Sequence, residues 1–83
     1  MTLTEMRYVV ALARERHFGK AAEACHVSQP TLSVALKKVE GQIGAPLFER
    51  GTNDIRITPL GERIVEQAKR VLAEAVKLEE IAE

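Results

Sequence analysis

The segment Ser28-Gln29-Pro30-Thr31-Leu32-Ser33 puts five polar or helix-starting side chains at what reads as the beginning of a helix. Their chemistry suits the edges of base pairs. A glutamine amide pairs in bidentate fashion with adenine, and a threonine offers both a hydroxyl and a methyl. The face that continues from them carries Pro30, Val34, Lys37 and Gly41, flanked by Ser33 and Lys38. Lys37, Lys38, Arg50 and Arg56 suit phosphates, which add affinity without selectivity. The free N–H groups near Ser28 could also hold a phosphate. An exposed polar face is the norm for an amphipathic helix, so this face gains meaning only from the elements around it.

Those elements occur in a telling order. Thr2 and Glu5 have capping-box spacing. Leu3, Met6, Val10 and Ala13 then recur at helical intervals, widened by Val9 and Leu12, which predicts a first helix with one buried stripe. The second helix runs from about His17 to Cys25, anchored by Phe18, with small Ala22 where two helices would cross. His26 occupies the turn, where a left-handed backbone is expected. Ser28 caps the third helix and Pro30 sits in its first turn. Val27, Leu32, Leu36, Val39 and Ile43 face inward, and Gly44 with Pro46 ends that helix. LFER and DIRIT read as two short strands around Gly51-Thr52-Asn53-Asp54. Thr58-Pro59 opens a long last helix.

The last helix has two apolar stripes. Ile64, Ala68, Val71, Ala75, Leu78 and Ala82 form a heptad seam suited to a helix partner. Beside it run Leu60, Val65, Leu72 and Val76. One stripe can pack on the domain, which leaves the other for a second chain. The pattern continues to the end of the sequence without a C-cap, so the sequence reads as part of something longer.

Composition limits the other possibilities. The 83 residues suffice for one small core, and 46% hydrophobic with 29% charged residues is the balance of a folded domain. Net charge is zero, yet residues 1–58 hold 8 basic groups against 6 acidic, and the acidic excess lies in 59–83. No run suits a membrane span or a secretory signal, which makes the cytoplasm the default. Cys25 lies on the core side of its helix and reads as a buried, inert thiol. His17 and His26 suit surface or turn roles, and Glu49 with Asp54 read as wing charges. No metal site, cofactor loop or catalytic nucleophile with a base is present in the pattern. An enzyme is not expected.

The run AAEACHVSQPTLSVALKKVEGQIGAPLFER followed by ITPLGE resembles the N-terminal domain of LysR-type transcriptional regulators over essentially the whole chain. The SQPTLS, LFER and TPLG signatures carry that resemblance, and RHFGKAAEACHVSQPTLS is most similar to the family's peroxide-responsive members. The resemblance implies a mainly α fold: a winged helix-turn-helix over 1–58 (three helices plus a two-stranded wing) and a linker helix over 59–83 that dimerises antiparallel. It also implies an effector-binding domain beyond this chain and tetramers in the full-length protein. Ser28, Gln29, Pro30, Thr31, Ser33 and Lys37 then belong at the major groove. Arg50 and Thr58 belong near phosphates, and the wing tip, with Thr52 and Asn53, near the minor groove. Two departures stand out. Many relatives carry arginine where this chain has Val34, and a basic residue where it has Asn53 and Asp54. The family's base contact from position 34 therefore does not carry over, and entry into the minor groove either falls to Arg56 or is absent.

The sequence thus predicts a homodimeric, sequence-specific reader of a roughly palindromic duplex DNA operator, associated with the bacterial nucleoid. The rival readings are a winged-helix module that docks on a protein and a regulator of the same family that answers a small metabolite. An enzyme or its accessory subunit is a third alternative.

Overall fold

The computed structural model describes residues 1–51 and 54–83. The chain forms α1 (Leu3–Glu15), α2 (Phe18–Ala24), α3 (Gln29–Ile43), β1 (Phe48–Arg50), β2 (Ile55–Ile57) and α4 (Pro59–Ala82). The two strands pair antiparallel with Phe48 opposite Ile57, Glu49 opposite Arg56 and Arg50 opposite Ile55. This is a mainly helical winged helix-turn-helix continued by a long helix. The turn proposed at Gly51–Asp54 is closed by Gly51 N–H donating to the Asp54 carbonyl at 2.8 Å. Thr52 and Asn53 within it lie outside the described residues.

Caps explain where the helices begin. Thr2 and Glu5 form the full capping box: Glu5 N–H donates to Thr2 Oγ1 at 3.1 Å, and Thr2 N–H donates to Glu5 Oε1 at 2.8 Å. Ser28 accepts from Thr31 N–H at 3.3 Å and Thr58 accepts from Gly61 N–H at 2.9 Å, each with a proline in the first turn that follows. His17 caps α2 through Nδ1, which accepts from Lys20 N–H at 3.0 Å. His26 takes the left-handed backbone expected of the turn, at φ 58°. Arg16 does the same at φ 52°, ending α1, and nothing in its side-chain type announced that.

The core is built from Val9 and Leu12 of α1, Phe18, Ala21 and Ala22 of α2, and Leu32, Leu36 and Val39 of α3, closed by Leu47, Phe48, Ile55 and Val65. Ala22 is buried at the helix crossing, as its size predicted. The buried stripe of α1 differs from expectation. Glu5, Val9, Ala11 and Leu12 are buried, whereas Leu3 is exposed and Met6, Val10 and Ala13 are only partly covered. Because α1 packs on α2, α3 and α4 together, its centre of burial rotates away from the most apolar line. Glu5 can sit on that line because its carboxylate is satisfied by the Thr2 N–H.

At α4 the two stripes are not separate. Gly61, Val65 and Ala68 are buried in the chain's own core, and Leu72 lies beside Tyr8 and Ala11 of α1. Ala68 therefore does not belong to an open partner seam; at 4% exposure its methyl is already covered. Ile64, Val71 and Ala75 are half-buried, and Ala82 and Leu78 (69% exposed) lie in the open. Val76 and Ile81 are exposed there too.

Two glycines separate space from propensity. A Cβ on Gly61 would collide with the Leu47 carbonyl oxygen and with Ile57 Cγ1, whereas one on Gly41 meets nothing within 4 Å. Gly61→Ala should thus cost about 1–3 kcal/mol. Gly41→Ala, exposed in the last turn of α3, should gain up to about 1 kcal/mol. Thermal melts in which the two shifted Tm in the same direction would contradict this packing.

The capping box also predicts a pH response. The Thr2 N–H, and then Lys38, hold the Glu5 carboxyl below its ordinary value of 4.5, against the opposing effect of burial. A lowered native value means stability that is complete above 4.5 and is lost as pH falls through the native value. Glu5→Gln should flatten the acid limb of the stability profile below pH 4.5, and an unchanged limb would contradict the assignment.

Candidate nucleic-acid interface

The leading end of α3 stands clear of the core. Ser28, Gln29, Pro30, Thr31 and Lys37 are exposed and Ser33 is partly so. The Ser28 and Thr31 hydroxyls lie 2.9 Å apart and hydrogen-bond to each other, so the cap also fixes the threonine rotamer. Gln29 lies over the start of α2: a Cβ on Gly19 would come within 3.7 Å of Gln29 Oε1.

Between α3 and the wing, Ser33 and Lys37 line one shallow groove with Phe18 and Arg50. Arg50 sits over the Phe18 ring, 4.1 Å from its centroid. Stacking of this kind holds a guanidinium flat while leaving its N–H groups open to an anion. The sequence marked Arg50 as a cation but gave no sign of this support. Among the described residues Lys37 has no acidic partner within ion-pair distance.

The remaining cations are less free. Lys38 Nζ is 3.6 Å from Glu5 Oε2, and Arg56 Nε is 3.6 Å from Asp54 Oδ2. Both pairs are largely exposed on the basic side, where screening keeps such pairs weak. Thr58 is occupied as well. Its hydroxyl proton is directed at the carbonyls of Pro46 (2.9 Å) and Leu47 (3.2 Å), while its oxygen caps α4. Asn53 and Thr52, expected at the wing tip, lie outside the described residues.

A positioning residue escaped the sequence reading. Glu40, on the last turns of α3, accepts from Leu47 N–H at 2.6 Å and Phe48 N–H at 3.2 Å. It thereby fixes the wing's first strand to the helix that carries Gln29 and Lys37. Its place next to the inward Val39 was the available signal, but a carboxylate beside a helix C-terminus usually reads as solvent-facing.

Other chemistries find little support. Burial pushes the Cys25 thiol up more than Arg14 draws it down, and its Sγ makes only a weak contact at 3.9 Å with the Arg7 carbonyl. Such a thiol is a poor nucleophile. It is half-buried rather than fully enclosed. Among the described residues no three His, Cys, Asp or Glu side chains gather as for a metal ion. No helix of the described residues is long and apolar enough to cross a membrane.

Comparison with known proteins gives this geometry a family. The bacterial regulatory helix-turn-helix family of the LysR type matches residues 3–62. A hydrogen peroxide-inducible genes activator of Pectobacterium carotovorum subsp. carotovorum is 46% identical over 82 residues, covering 99% of this chain and 27% of that protein. A full-length OxyR variant from Pseudomonas aeruginosa superposes with a TM-score of 0.94 at 58% identity, over 99% of this chain and 28% of that one. The DNA-binding domain of BenM in complex with its benA site 1 DNA superposes at 0.92 with 32% identity, over 99% of this chain and 92% of that one. The chain thus spans about a quarter of the length of the curated relatives it matches. The relatives are transcription regulators. With its winged helix-turn-helix, its exposed α3 leading end and its 3–62 match, this chain belongs to the LysR family of bacterial regulatory helix-turn-helix proteins.

Proposed function

We propose that this chain reads operator DNA for a bacterial transcription regulator, with residues 1–58 as the reading domain and 59–83 as the pairing helix. The observation that carries the proposal is the exposed end of α3, Ser28 to Ser33 with Lys37 behind, beside a wing that holds Arg50 over Phe18. A scaffold that superposes on a DNA-bound relative supports the same use. In this reading α3 lies in the major groove, where Gln29 and Thr31 meet base edges. Lys37, Arg50 and the positive end of α3 meet phosphates.

The half-exposed Val71 and Ala75 and the exposed Leu78 and Ala82 give α4 an apolar edge beyond the domain. A second α4 laid antiparallel on that edge covers it and presents two reading domains to two half-sites. An effector-binding domain beyond residue 83, and tetramers of the full-length protein, complete this arrangement. Similarity to hydrogen peroxide-inducible activators supports a peroxide-stress regulon. The protein then works on the bacterial nucleoid, in the cytoplasm, without a cofactor in this domain.

Two sets of variants test these roles. Gln29→Ala should lose about 1–3 kcal/mol on a selected operator and little on random DNA. Arg50→Ala should weaken both and reduce the salt slope. Equal losses of specific and random binding in Gln29→Ala would remove it as a base reader. Binding to neither DNA at low salt would favour a protein-docking module instead.

For the pairing helix, Val71→Glu or Leu78→Glu should convert dimers to monomers in sedimentation equilibrium. An unchanged dimer would refute the α4 edge as the interface.

A further inference from the structure

Val34 is the most exposed large apolar side chain outside α4, at 68% exposure, and it lies in the middle of the outward face of α3. Its neighbours one turn away on that face are the exposed Pro30, Thr31, Lys37 and Lys38. Nothing in the fold requires a valine there. It is not part of the core cluster, and β-branched residues are poorer helix formers than alanine at a solvent-facing position. Its two methyls therefore face whatever α3 faces.

We propose that Val34 is a specificity residue that packs on the C5-methyl of a thymine in the operator. This rests on the DNA-reading role proposed above. Among the base-pair edges in the major groove the thymine methyl is the apolar feature; the others are hydrogen-bond donors and acceptors. A valine laid on those polar atoms would displace their water and return no hydrogen bond. Laid on a methyl, it buries apolar area on both sides. Lys37, one turn on, meets a phosphate in the same reading and holds this face of α3 in the groove. An arginine at this position would seek guanine or phosphate, so the valine changes which base is favoured and not only how tightly the chain binds.

The experiment isolates the methyl. Duplexes selected by the wild-type chain from a random pool are resynthesised with each thymine replaced singly by deoxyuridine, which removes the methyl and keeps the hydrogen-bonding edge. Fluorescence anisotropy then compares wild type, Val34→Ala and Gln29→Ala on each duplex. One uridine substitution should weaken wild type about fourfold, the equivalent of about 0.8 kcal/mol for one buried methyl-sized group. Val34→Ala should discriminate less than wild type between the thymine and uridine duplexes at that position, while Gln29→Ala retains the full discrimination. If no thymine is methyl-sensitive, or if Val34→Ala keeps the same sensitivity as wild type, Val34 reads no methyl. A pool that yields no enriched sequence overturns the DNA-reading role itself, an outcome distinct from an enriched site without methyl discrimination.

Discussion

The wing and the first turn of α4 are tied to the end of α3 through the backbone of Leu47. Its side chain is fully buried, and its N–H donates to the Glu40 carboxylate of α3. Its carbonyl accepts from the N–H of Thr58 at 3.0 Å and lies within reach of the Thr58 hydroxyl. That same carbonyl passes so close to Gly61 that no Cβ fits between them. The backbone of one residue thus ties the end of α3, the first strand of the wing and the first turn of α4. Such buried polar groups are costly unless every one is paired. Here they are paired, and the relative directions of α3, wing and α4 follow.

This junction explains how a chain of zero net charge presents a basic reading surface. The wing returns beside α3, which brings Arg50 of β1 onto the Phe18 ring next to Ser33 and Lys37. Elsewhere the cations are partly matched, Lys38 by Glu5 and Arg56 by Asp54. The excess of carboxylates is carried on α4. The local field, not the total, is what a phosphate backbone meets.

Much of this was legible in the sequence because caps and turns are local. Thr2, Ser28 and Thr58 each announced a helix, and His26 announced a left-handed turn, since the groups that satisfy them lie within a few residues. The exposed set at the start of α3 followed from the same signals. What escaped depends on contacts made far along the chain. Glu40 reaches Leu47 and Phe48, Arg50 reaches Phe18, and Glu5 reaches Lys38. None of these pairings has a spacing that a single helix or strand would reveal. The seam on α4 was misassigned at Ala68 for a related reason. Heptad spacing identifies an apolar face but not what covers it, and Ala68 is already covered within the chain itself.

The central claim is that duplex DNA is met by the leading end of α3 and the wing strands, held in one orientation by the Leu47 junction. Chemical-shift perturbation of the isotope-labelled chain on titration with a selected operator duplex tests it most directly. The account predicts the largest changes in the amides from Ser28 to Lys37 and at Glu49 and Arg50, with the outer half of α4 unmoved. Largest changes on α4, or none along α3, would contradict it.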